Sequence, residues 1–169
     1  MRVIMAGLLA CLLVVGTAQA RELKPYAGEP TPPLALVDVH GKAHDLRDYR
    51  GMVVLVNFWA TWCPPCREEI PSMQRLKAKF AGKPFVILAV DMGESGASVK
   101  AFLKEVRLDA VMLLDIDGEA LKKWKVFAFP TSFVVDPQGK IRYAVAGATE
   151  WDDPETIRRI AELLPAMRR

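Results

Sequence analysis

Two cysteines three residues apart, in Trp62-Cys63-Pro64-Pro65-Cys66, can close a small disulfide ring and open it again. They follow an apolar run, Val53 to Ala60, that reads as a buried strand. They precede Arg67-Glu68-Glu69-Ile70, which opens a helical pattern. At a strand-to-helix junction, free N–H groups and the positive end of the helix dipole favour a thiolate on the first cysteine. Cys63 is therefore the candidate nucleophile, expected at an exposed N-cap, and Cys66 the resolving thiol. The pair reads as a redox couple that alternates between a Cys63–Cys66 disulfide and a dithiol. A structural staple gains most from closing a longer loop. Zinc needs four ligands, and the only histidines are His40 and His44. No metal and no cofactor is expected.

Pro64 and Pro65 suit a first helical turn but carry no N–H. They withhold two donors from the Cys63 sulfur, and no histidine lies between the cysteines. A less stabilised thiolate makes a less oxidising couple, so these two residues are candidate tuners that favour a reductase. Trp62 flanks the nucleophile and can cover the apolar side of a protein substrate.

The elements that hold these residues follow from pattern. The chain has 169 residues, of which 51% are hydrophobic and 25% charged, enough for one domain with a core. Residues 3–20 carry no charge, Arg2 precedes the apolar stretch, and Ala18-Gln19-Ala20 offers a cleavage site. Residues 1–20 are read as a signal peptide, with an uncleaved membrane anchor as the alternative. Cys11 leaves with that segment, so the exported chain holds Cys63 and Cys66 alone, in a compartment that permits disulfides. The net charge is +3, and loss of Arg2 makes it +2, a balance that argues against nucleic acid as a partner.

Residues 21–33, rich in proline, read as a linker, and residues 34–165 as the domain. Leu34–Val39 and Lys42–Leu46 form a hairpin about His40-Gly41. Met52–Trp59, Pro84–Val90 and Val111–Leu114 read as strands. Thr131–Val135 and Ile141–Ala146 flank the turn Asp136-Pro137-Gln138-Gly139. Helices are expected after the cysteines, kinked at Pro71, then from Ser95 or Ser98, over Asp117–Trp124, and from Asp152. This is an α/β chain: a central mixed sheet with helices on both faces and an N-terminal hairpin extension.

Phe58 to Cys66, with Phe129-Pro130-Thr131 and Asp136 to Lys140, resembles the thioredoxin superfamily. The closer resemblance is to exported TlpA/ResA-type thiol-disulfide oxidoreductases, relatives of the cytochrome c maturation reductases. It implies a thioredoxin-like fold over about residues 34–165. It implies that Pro130 is the superfamily's cis-proline beside the dithiol, so that Phe129, Pro130 and Thr131 meet a bound peptide. Cytosolic thioredoxins carry a buried carboxylate where this strand has Asn57. Gly93-Glu94-Ser95 resembles a motif of the exported group, which makes Glu94 the expected proton acceptor, with a raised pKa.

The implied function is a periplasmic reductase of disulfides in client proteins, soluble after signal cleavage or tethered by the uncleaved segment. Apocytochrome c or copper-site assembly proteins are the implied clients, and a membrane thiol-disulfide donor re-reduces a monomeric enzyme. A dithiol oxidase that donates its disulfide is the alternative. A thioredoxin-fold metallochaperone is a third reading, but it would want Cys-x-x-x-Cys or a placed histidine.

Overall fold

A computed structural model describes residues 21–166; the signal-peptide or anchor segment lies outside the described residues. Thirteen elements run in chain order: β1 (Lys24–Pro25), β2 (Ala35–Asp38), β3 (Ala43–Asp45), a 3-10 turn (Leu46–Tyr49), β4 (Val53–Trp59), α1 (Pro64–Lys79), β5 (Phe85–Met92), α2 (Gly96–Phe102), β6 (Val111–Asp115), α3 (Glu119–Lys123), β7 (Thr131–Val135), β8 (Ile141–Ala146) and α4 (Pro154–Ala161). The strands form one sheet in the order β1-β8-β7-β4-β5-β6-β2-β3. β4, β5 and β6 are parallel to one another, while β7, β8 and the flanking strands pair antiparallel. This is a mixed thioredoxin-like fold with an N-terminal hairpin against β6.

The central strand β4 is buried at all seven positions, and its alternation divides the core. Val54, Val56 and Phe58 pack with Leu34, Leu46, Trp124 and Phe133 on the α3 face. Val53 and Leu55 pack with Met73, Leu76, Trp151 and Ile160 beneath α1 and α4. Trp59, Cys63, Cys66, Ile70, Val99 and Phe102 form a third cluster on the same face, beneath α1 and α2. Helices thus lie on both faces, unequally: three on one and the five-residue α3 on the other.

One element departs from pattern reading. The proline-rich segment 21–33 is not structureless. Lys24 and Pro25 pair with Ala144 and Tyr143 of β8, and Leu23 enters the core. A two-residue pairing depends on a partner more than a hundred positions away, which local composition does not reveal. Helix α1 continues through Pro71, whose missing N–H leaves the Arg67 carbonyl without its helical donor.

The hairpin is fastened by one carboxyl. Asp38 accepts from the N–H groups of His40 (2.8 Å) and Lys42 (2.9 Å) and from His44 Nε2 (3.0 Å). His44 Nδ1 reaches the Tyr49 hydroxyl at 2.6 Å. Burial pushes Asp38 up, but the His44 hydrogen bond and then the two backbone donors outweigh it and hold it at about 2.

Candidate active site: a dithiol among buried carboxyls

Cys63 caps α1 in an extended conformation, and Pro64 and Pro65 fill the first two helical positions. The first N–H after the prolines belongs to Cys66, and it points at Cys63 Sγ, 3.3 Å away. The prolines thus leave one backbone donor on that sulfur. The two cysteines form a disulfide, with S–S 2.15 Å and Cα–Cα 5.3 Å. Cys63 is not the exposed residue expected: it is 4% exposed and Cys66 1%. Phe129 packs against the cluster that holds both sulfurs. Trp62 stands 60% exposed and meets Phe129 edge to face at 6.0 Å.

Glu69 lies one turn after Cys66, buried at 3% exposure. Its Oε1 accepts from Asn57 Nδ2 (2.8 Å), and its Oε2 from Trp151 Nε1 (3.1 Å) and Thr149 N–H (3.3 Å). Asn57 also donates to Ser132 Oγ at 2.8 Å. Burial pushes Glu69 up, the three donors pull it partly back, and it comes to rest at about 7. Asn57 therefore does not leave the dithiol's surroundings without a buried carboxyl. It carries one at the tip of its amide.

Glu94 follows β5 and reaches the loop before the cysteines. Its Oε2 accepts from Thr61 N–H (2.7 Å) and its Oε1 from Thr61 Oγ1 (2.7 Å). Partial burial pushes Glu94 up, but the Thr61 hydrogen bonds outweigh it and hold the carboxyl below its ordinary value. The expected raised pKa is therefore corrected: both Glu94 oxygens already have donors, which favours the charged form. The raised groups are Glu69 and Asp91, the latter fully buried at the end of β5 and pushed up to about 8 by burial and then by Glu94.

The Phe129–Pro130 peptide is cis. Neither backbone polar group of Phe129 has a backbone partner among the described residues. Thr131, by contrast, is buried and its hydroxyl donates to the Ala128 carbonyl at 2.7 Å. Among the described residues no three His, Cys, Asp or Glu side chains converge as a metal site would need.

Residues 27–144 match the model of the AhpC/TSA family. The chain belongs to the AhpC/TSA family and is a thiol-disulfide oxidoreductase of the ResA/DsbE type. It is 37% identical over 128 residues to thiol-disulfide oxidoreductase ResA of Bacillus cereus, covering 76% of this chain and 74% of that one. The ResA of Bacillus subtilis is 37% identical over 120 residues, 71% of this chain and 67% of its own. Among solved structures, a putative thiol:disulfide interchange protein DsbE from Chlorobium tepidum superposes with TM-score 0.74 at 30% identity, over 85% of this chain and all of that one.

In this AhpC/TSA chain, then, Cys63, Cys66, Trp62, Phe129 and Pro130 come together at one end of the sheet, where the parallel strands β4 and β5 finish. Glu69 and Asp91 are the residues pattern reading missed. Glu69 was legible as an acid three positions after Cys66, on the face that also carries Met73 and Leu76. Asp91 was legible as an acid ending an otherwise apolar eight-residue strand.

Proposed function

We propose that this protein reduces disulfides in exported client proteins, with Cys63 and Cys66 as the working dithiol. Cys63 thiolate attacks one sulfur of the client disulfide; an S–S bond forms to Cys63 and the client's other sulfur leaves as a thiolate. Cys66 then gives up its proton and attacks Cys63, which releases the client dithiol and leaves the Cys63–Cys66 disulfide. The client gains two electrons and the protein loses two. A membrane thiol-disulfide donor restores the dithiol, since the compartment lacks a reducing buffer.

The observation that carries this reading is the carboxyl poised at about 7 one helical turn from the resolving cysteine. A group of that pKa accepts a proton near neutral pH and returns it, so Glu69, not Glu94, takes the Cys66 proton. The two prolines support the reducing direction, because they leave a single N–H on Cys63 Sγ. Phe129 offers its free backbone groups to an extended client segment, and exposed Trp62 covers the segment's apolar side. Periplasmic location, a monomeric state, and apocytochrome c or copper-site assembly proteins as clients complete the proposal. They draw on the family and on the apolar residues 1–20. No helix among the described residues is long and apolar enough to cross a membrane.

A redox titration against glutathione tests it, using protein that starts at Arg21. The expected potential is well below the roughly −120 mV of strongly oxidising enzymes. A value near that figure would reverse the direction and favour a disulfide donor. Cys66→Ser should accumulate client mixed disulfides, and Cys63→Ser none.

A further inference from the structure

Asp91 has an environment that the reaction above leaves unused. It is fully buried at the carboxyl end of β5, opposite Trp59 of β4 in the strand register. Asp91 Oδ2 and Trp59 Nε1 are the buried side-chain polar atoms without a hydrogen-bond partner among the described residues. Asp91 Oδ1 has one donor, the Glu94 N–H at 3.2 Å. A buried carboxylate with one donor is costly, and such a group neutralises before it stays charged. The Glu94 N–H on Asp91 Oδ1 holds the two residues together, and each carboxyl acts on the other's proton: Glu94 pushes Asp91 up and Asp91 pulls Glu94 down. Two carboxylates cannot bond there, but one proton between them makes an acid–carboxylate hydrogen bond, the short and strong kind.

The charge on that pair belongs to Glu94. It is the more exposed of the two, and Thr61 donates twice to it. Thr61 stands two residues before Cys63, in the turn where Cys63 N–H donates to the Ala60 carbonyl at 3.2 Å. An unbroken chain of contacts thus runs from the buried end of β5 to the cap of α1.

We propose that Asp91 is a positioning residue for the dithiol: as a neutral acid it donates to Glu94, and Glu94 so held fixes the Ala60–Cys63 turn. The proposal rests on Cys63 being the reactive thiol. Other groups around Asp91 do not supply the proton's role. Trp59 faces it from β4 and packs at a tilt on Phe102 of α2, ring centres 5.4 Å apart. Arg67 of α1 lies over the far side of that assembly, 5.1 Å from the Phe102 ring. Asp115 of β6 is occupied with the N–H groups of Ala120 and Leu121. Glu94 is the charged neighbour that acts on Asp91. Above pH 8 Asp91 ionises, a second charge appears beside Glu94, and the clamp on Thr61 weakens.

The test uses the reduced protein with Cys66→Ser, so that thiolate absorbance reports Cys63 alone. Asp91→Leu should lower the thiolate fraction at pH 7 by about fivefold, the size set by one hydrogen bond. Asp91→Asn, whose amide donates as the acid does, should restore it to within about twofold. Infrared difference spectra at pH 7 should show a protonated carboxylic acid that Asp91→Asn removes. Identical spectra, or an Asp91→Leu titration unchanged from the parent, overturn the proposal. If Asp91→Leu fails to fold, Thr61→Val cuts the chain at its outer end and should shift Cys63 the same way; no shift overturns it. None of these readouts depends on the direction of electron flow, so the glutathione titration can fail while they succeed.

Discussion

Asp38 in the hairpin and Glu69 one helical turn after Cys66 are matched in donors and opposite in charge behaviour. Each carboxyl receives three hydrogen bonds. Asp38 is held at about 2 and Glu69 at about 7. The donors to Asp38 all lie within 3.0 Å and include an imidazole, and water still reaches its edge. Those to Glu69 are an amide, an indole and a backbone N–H at up to 3.3 Å, in a site closed by Trp151. Counting donors does not tell a structural carboxylate from a proton-handling one. Depth, and the charge available to the donors, decide it.

The contrast makes its largest mark on stability against pH. A carboxyl whose folded pKa is raised binds its proton more tightly in the native state. Glu69 therefore subtracts stability as pH climbs from its unfolded value of 4.5 to about 7, on the order of 3 kcal/mol. Asp38 has the opposite sign: its contribution is complete above 3.8 and is lost as pH falls through about 2. Denaturant melts should weaken from pH 5 to pH 8, and Glu69→Gln should lessen that slope, with buried Asp91 supplying the remainder; a slope unchanged in the variant breaks the comparison.

Catalysis comes next. Glu69→Gln should slow release of a Cys63 mixed disulfide at pH 7 by about 10²-fold, the usual reach of a positioned proton acceptor. Stopped-flow resolution of a preformed adduct reads this directly. Asp38→Asn should leave that rate alone and cost about 1–2 kcal/mol of stability through its unpaired donors, read from the same melts. The smallest difference concerns exposed apolar side chains. Phe127, 93% exposed, lies in the loop that leads to the cis-proline, three residues before Pro130, whereas Ile116, 59% exposed, follows β6 near the hairpin. Phe127→Ser should raise KM for a protein disulfide by about threefold, roughly the worth of a partly buried methylene pair, and leave a small disulfide unaffected. Ile116→Ser should move neither.

The sequence already disclosed the cysteine pair, its helix cap, the two prolines of the first helical turn and the apolar strands, because each of these is written in neighbouring residues. Glu69 was hidden because its donors come from afar: Asn57 lies 12 positions back, Thr149 80 ahead and Trp151 82 ahead. An acid on the second turn of a helix looks solvated until those partners are in place. Glu94 was found as a residue but its pKa was expected in the wrong direction, since the motif gives its location and not the two Thr61 donors that favour its charge. The strand at Lys24–Pro25 was invisible for the reason that hid Glu69.

That small strand also settles what the sheet offers to other chains. The two outer strands are β1, with two residues and a proline, and β3, with three. Neither is long enough to template an added strand, and Pro25 lacks the N–H such pairing would use. A protein that meets clients with their backbones unpaired would otherwise collect them along its edges. Under the proposed function, an extended client would instead pair at Phe129, whose backbone groups have no backbone partner among the described residues. Such a contact would be brief, because a single residue would pair and the rest of the client would remain free to leave.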